Sequence, residues 1–151
     1  LFEYSFVHMK AVGIIPVRLE STRLHEKAIA DICGLPMFVH TYKRAELAKT
    51  LDEVFLATDS EKVAGIANQY HIKVIMTSTS HKNSTERIAE ACDSIDCDII
   101  VNIQGDEPLL YPDHVDKIVT PMLTDRKVQV SIGITRFQRK TVPAISRLYL
   151  T

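Results

Sequence analysis

Residues 98–108 read DIIVNIQGDEP, and how this run begins and ends decides the fold. Ile99, Ile100, Val101, Asn102 and Ile103 are almost all apolar and β-branched, which suits a strand covered on both faces in a parallel sheet. Gln104, Gly105, Asp106, Glu107 and Pro108 then supply an amide, a glycine and two carboxylates, and the proline stops the strand. In open α/β sheets ligands bind at the carboxyl ends of the strands, so this polar turn is a candidate site.

Working outward, strand-like and helix-like segments alternate. Ala11–Val17 (AVGIIPV) predicts a first strand, and Pro16 favours an edge position or a sharp exit into a loop. Gly34 and Pro36 mark a turn, with Pro36 suited to the first helical position. Phe38, Tyr42, Ala45 and Ala48 then recur at helical spacing as far as about Lys49. Glu53–Thr58 is a second strand. Asp59 or Ser60 caps a helix from about Glu61 to Tyr70 whose Val63, Ile66 and Ala67 face inward. Lys73–Met76 is a short third strand, and Ser84 or Thr85, followed by Glu86 and Arg87, opens a helix through about Ser94. After the strand at residues 99–103 come a helix from about Pro112 to Met122 and a strand from about Val128 to Ile134. With right-handed crossovers, this order predicts a three-layer α/β/α, Rossmann-like domain with a mostly parallel central sheet.

A chain of 151 residues with 46% hydrophobic content can bury one core. Its formal charge of −1 and the lack of a long basic run argue against nucleic acid as a partner. Cys33, Cys92 and Cys97 are too few and wrongly spaced for a disulfide framework or a zinc site, and a reducing cytoplasm is the default expectation. No apolar run approaches the ~20 residues needed to span a bilayer, so no membrane partner is expected. The opening LFEYSFVH is not a signal peptide. Residues 1–8 are expected to be an extension ahead of a natural start at Met9, with a short native extension as the alternative. Residues 9–134 are expected to form the nucleotide-binding domain, with 135–151 an unassigned tail.

Two further polar loops follow predicted strands. RLESTRLHEK, residues 18–27, offers Arg18, Arg23 and Lys27 with Ser21 and Thr22 between them, a set of donors suited to phosphate oxygens. The bland alternative is a solvated loop whose Glu20 and Glu26 offset its cations. Residues 77–82 are rich in hydroxyls, where helix capping competes with ligand binding, and His81 reads as a surface or turn histidine. The dinucleotide fingerprint GxGxxG and the Walker pattern GxxxxGK[ST] are both missing after the first strand.

Taken together, IIPVRLESTRL with Lys27, ATDSEKVA (residues 57–64), and HKNSTERIAEA followed by VNIQGDEPLL resemble the sugar nucleotidyltransferases that make CMP-activated acidic sugars. The resemblance is closest to the 3-deoxy-manno-octulosonate cytidylyltransferase (CMP-Kdo synthetase) family and covers roughly residues 10–134. It implies a Rossmann-like nucleotidyltransferase fold. It also implies transfer of CMP from CTP to the acidic sugar Kdo, with release of pyrophosphate, in lipopolysaccharide biosynthesis. By the same resemblance Arg18, Arg23 and Lys27 would hold the triphosphate, Ser21 and Thr22 would shape their loop, and Ser84, Thr85 and Arg87 would lie beside the nucleotide. Gln104 would stand beside the base or ribose, and Asp106 would be a ligand to Mg2+. Arg18, Lys27 and Asp106 are therefore the expected catalytic group.

Departures from the family pattern carry their own expectations. His25 and Glu26 replace a Pro-Gly pair and bring bulk and negative charge to a phosphate loop. Ser84 replaces a glycine at a position where a positive φ would be strained. The family chain continues beyond residue 151, into a second metal-binding aspartate, much of the sugar pocket and the homodimer contacts, so the sequence reads as a truncated member. The alternatives are a noncatalytic nucleotide-binding remnant and a nucleotidyltransferase for sialic acid-like sugars or sugar phosphates.

Overall fold

The computed structural model of the chain describes residues 8–19 and 26–134, and the elements below are those of the described residues. In chain order they are β1 (Ala11–Val17), β2 (Asp31–Ile32), β3 (Leu35–Pro36), α1 (Met37–Ala45), β4 (Glu53–Thr58), α2 (Glu61–Gln69), β5 (Val74–Met76), α3 (Ser84–Cys92), β6 (Ile99–Asn102) and α4 (Pro112–Thr124). A single 3-10 turn at Lys27–Ile29 precedes β2. The extension expected at residues 1–8, all but His8, and the tail expected at 135–151 lie outside the described residues.

The main sheet has the order β5-β4-β1-β6, and each neighbouring pair is parallel. Alternate residues of each strand enter different cores. Ala11, Ile15 and Val17 of β1, with Val54 and Leu56 of β4 and Ile99 and Val101 of β6, pack against α1, α2 and α4 through Phe38, Tyr42, Val63, Val115 and Val119. Val12, Ile14 and Ala57 point the other way, onto Ile88 and Ala91 of α3. The three layers expected from the alternating pattern are therefore present, with three helices on one face and α3 on the other.

That asymmetry corrects the reading of residues 99–103. β6 is an edge strand among the described residues, and α3 packs on β1 and β4. Ile100 is accordingly 38% exposed, and β6 alternates between buried and exposed positions instead of being covered on both faces. β1, by contrast, is central despite Pro16. Ile14 turns its carbonyl toward β6, where it accepts the Ile103 N–H, and Pro16 points the same way two residues on. Ile14 is the last β1 residue paired with β6, so the missing proline N–H falls where no ladder partner stands.

Local chemistry sets the other boundaries. Ser60 caps α2 by accepting the Val63 N–H at 3.3 Å. Asn83, not Ser84 or Thr85, caps α3 by accepting the Glu86 N–H at 2.9 Å. Pro36 occupies the N-cap of α1 instead of the first helical position, because it first closes the β2–β3 hairpin. That hairpin turns through Cys33 (φ 52°) and Gly34 (φ 87°), the two left-handed residues a tight two-residue turn requires. The strand expected at Val128–Ile134 does not form: Val130, Ile132 and Ile134 are 73%, 70% and 91% exposed and pair with no ladder.

At the amino-terminal edge of the sheet, Glu53 ties three strand starts together, bonding Lys10 at 2.6 Å and Lys73 at 2.8 Å. The opposite edge is left for polar loops.

Candidate functional site

The chain runs from β1 through β4 to β5 on one side, then returns to form β6 on the other side of β1. The carboxyl ends of β1 and β6 therefore flank a topological switch point, where open α/β sheets form a crevice. The loops after these two strands supply the facing groups. Lys27, at the start of the 3-10 turn, places its Nζ 2.5 Å from Oδ2 of Asp106.

The turn carrying Asp106 is held by its backbone. The Gly105 carbonyl accepts the Thr41 hydroxyl of α1 at 3.2 Å, the Leu110 carbonyl accepts Nε of Arg44, and the Glu107 N–H closes on the Gln104 carbonyl at 3.3 Å. Gly105 is required by space: a Cβ there would stand 2.9 Å from Cγ2 of Val17 and 3.1 Å from the Pro16 carbonyl oxygen. The polar turn after β6 thus lies directly against the end of β1. Asp106 remains about half exposed, while burial, and then the neighbouring Asp106 charge, push the Glu107 carboxyl up.

The donor chemistry suits a hard divalent cation. Mg2+ takes oxygen ligands and is commonly held by one or two carboxylates plus substrate phosphates. Among the described residues no group of three or more His, Cys, Asp or Glu forms a protein-only metal cage. Asp106 would therefore hold such an ion in company with phosphate oxygens, and Lys27 beside it is a point charge suited to the same phosphates.

The remaining expected residues divide. Arg18 is exposed immediately after β1, and Gln104 follows β6 with its side-chain amide donating to Asn102 Oδ1 at 3.4 Å. Both stand on the same edge as Lys27 and Asp106. Ser21, Thr22 and Arg23 lie outside the described residues. Ser84 and Thr85 form the first turn of α3, after the β5 loop. Ser84 has no positive φ, so the strain expected there is absent. The strain falls instead on Glu26, at φ 53° and ψ 30°, whose carboxylate binds Lys62 of α2 at 2.7 and 2.9 Å.

Arg87 is only 4% exposed. Its guanidinium donates to Asp59 Oδ2 at 2.6 Å and to the Thr77 hydroxyl, joining α3 to the ends of β4 and β5. These two bonds anchor α3 to that edge of the sheet. Sequence reading missed Asp59 and Thr77 as its partners, having offered Asp59 only as one of two candidates, with Ser60, for the cap of α2. The pattern Asp59…Arg87 offers no local signal, because the two meet only through the sheet.

A family model described as cytidylyltransferase matches residues 12–143. The curated 3-deoxy-manno-octulosonate cytidylyltransferase of Geobacter metallireducens is 44% identical over 122 residues, covering 81% of this chain and 48% of that protein. The enzyme of the same name from Chlorobium phaeobacteroides is 45% identical over 117 residues, covering 78% and 47%. Among solved structures, CMP:2-keto-3-deoxy-manno-octonic acid synthetase complexed with CTP aligns with a TM-score of 0.76 at 38% identity, over 78% of this chain and 48% of its own. A cytidylyltransferase from Leptospira borgpetersenii aligns with a TM-score of 0.70 at 27% identity, over 79% and 51%. The chain spans about half the length of the curated relatives it matches.

Proposed function

The chain belongs to the cytidylyltransferase family, and from that premise we propose that it binds CTP and serves transfer of CMP to the acidic sugar Kdo. The observation that carries this reading is the meeting of Lys27 and Asp106 across the switch point: a cation suited to phosphate oxygens and a carboxylate suited to a divalent ion, from two separate loops.

In this reading Lys27, with Arg18 and Arg23, engages the triphosphate, and Ser21 and Thr22 shape the loop between them. Ser84, Thr85 and Gln104 stand beside the nucleoside. The sugar's anomeric hydroxyl oxygen forms a bond to the α-phosphorus while the bond from that phosphorus to the bridging oxygen breaks. Pyrophosphate leaves with the bond's electrons and the hydroxyl proton passes to solvent. Such a transfer depends on positioning and on cations placed where negative charge accumulates. A Mg2+ ion held by Asp106 would supply further neutralisation of phosphate charge. The work of this chain's own residues is to fix the α-phosphorus in line with the incoming hydroxyl.

Kdo transfer places the chain in lipopolysaccharide biosynthesis, with the cytoplasm as its proposed location. No helix among the described residues is long and apolar enough to cross a membrane. A homodimer like that of the family is part of the proposal for the whole protein. A noncatalytic nucleotide-binding role is the second reading. It is favoured by Glu26, which sets a carboxylate one residue before Lys27 and pairs it with Lys62 of α2 at 2.7 Å.

The test is release of pyrophosphate from CTP and Mg2+ with Kdo present or omitted. Kdo-dependent release supports the transferase. Binding of CTP without release supports the second reading, and neither outcome with CTP would overturn both.

A further inference from the structure

We propose that His81 is a positioning residue for the nucleotide site, fastening the β5–α3 loop onto α3 so that Ser84 and Thr85 stand at a fixed place on the sheet edge. This rests on the cytidylyltransferase reading, which gives those two residues a ligand.

Residues 78–83 read STSHKN and contain no apolar side chain, so the loop must be ordered by polar ties. Those ties converge on two glutamates one turn apart on α3. His81 Nε2 bonds Oε2 of Glu90, and its Nδ1 lies 3.9 Å from Oε2 of Glu86. The Ser78 N–H donates to the same Glu90 oxygen at 2.8 Å, and the Lys82 N–H to the same Glu86 oxygen at 2.8 Å. Asn83 completes the set: its amide donates to Oε1 of Glu86 at 2.9 Å while its carbonyl oxygen caps the helix.

Within this set His81 differs from its neighbours. Its side chain is 18% exposed, whereas Ser80, Lys82 and Asn83 are exposed. A histidine left on the surface by chance would be solvated; this one is turned in between two carboxylates. The Glu90 carboxyl is held below its ordinary range, first by the His81 bond and then by the Ser78 N–H.

The consequence follows from what α3 touches on its other side. Arg87 fixes the helix to Asp59 and Thr77, at the ends of β4 and β5. His81 and the glutamates fix the loop that enters the same helix. Ser84 and Thr85, between the two attachments, are thereby prevented from moving away from the sheet edge, which lowers the ordering cost of binding.

The experiment is calorimetric titration of the whole chain with CTP and Mg2+, for the unaltered protein, His81→Ala and His81→Gln, with amide hydrogen exchange across residues 78–86. Glutamine can present an N–H near the position of Nε2 and restore the bond to Glu90. The expected result is a loss of about tenfold in CTP affinity for His81→Ala, the size of one charge-assisted hydrogen bond. Exchange at Ser78 and Lys82 should quicken in parallel, and His81→Gln should recover both. CTP affinity unchanged in His81→Ala, exchange unchanged, or His81→Gln as impaired as His81→Ala would each overturn the proposal. An unaltered protein that binds no CTP would overturn the cytidylyltransferase reading and this inference with it. Normal binding by all three proteins would sink only the role of His81.

Discussion

Lys27 and Asp106 are 79 residues apart in sequence, and their charged groups meet at 2.5 Å across the gap between the β1 and β6 loops. Both side chains are nearly half exposed, so the pair adds little to stability, under about 1 kcal/mol. Under the proposed function each partner occupies the other's position for a ligand: a triphosphate would draw Lys27 away and a divalent cation would claim Asp106, so the two ligands should assist one another.

Lys27→Ala should therefore leave unfolding nearly unchanged while weakening CTP by about tenfold or more, with a smaller effect on CMP. Titration of both nucleotides in Mg2+ checks this. Asp106→Asn should remove the dependence of CTP binding on Mg2+; equal losses for CTP and CMP in Lys27→Ala would refute the phosphate role of the lysine.

Arg87 carries the opposite balance, because it is buried and paired. Arg87→Met should cost about 2–3 kcal/mol, as it leaves the largely buried Asp59 carboxylate and the Thr77 hydroxyl without their donor. Urea unfolding with an unchanged m value measures the loss directly.

Gly105→Ala should destabilise by about 1–3 kcal/mol, the cost of forcing a methyl group into a packed position. The new carbon would stand 2.9 Å from Val17 and 3.1 Å from the Pro16 carbonyl oxygen. Because relief requires the Asp106 turn to lift from β1, CTP affinity should fall along with the melting temperature.

The pH dependence of stability has a defined sign at the far edge of the sheet. Hydrogen bonds from Lys10, then Lys73, lower the Glu53 carboxyl from 4.5 to about 2. A depressed carboxyl contributes stability that is present above its unfolded value and is lost as pH falls through its folded value. The melting temperature should thus decline between about pH 4.5 and pH 2, and Glu53→Gln should flatten part of that decline. Thermal scans across this window compare the two proteins.

What the sequence disclosed, and what it hid, divides along the line between local and nonlocal causes. β1 and β4 are found at the residues their apolar runs marked, since a strand buried on both faces needs nothing else to be recognised. Residues 128–134, VQVSIGI, carry apolar residues at alternate positions and form no strand, because a strand also requires a partner and an apolar pattern does not name one. Lys27 and Asp106 were each expected at a site, from the loop after β1 and the turn after β6, but the sequence did not disclose that the two side chains meet. Arg87 was expected beside the nucleotide, and its burial was not legible, since Asp59 and Thr77 converge on it only through the fold. The departure at Glu26 was read for its charge, and the structure adds its left-handed backbone. At Ser84 the feared strain is missing, because the residue begins a helix that Asn83 caps.

The most direct measurement is thermal unfolding of the chain with CTP, UTP, GTP and ATP, each with and without Mg2+, since a ligand that binds only the folded state raises its melting temperature. Stabilisation by CTP, increased by Mg2+ and not matched by the other three nucleotides, is the predicted result. Cooperative unfolding at one unchanged temperature under all eight conditions would contradict the account.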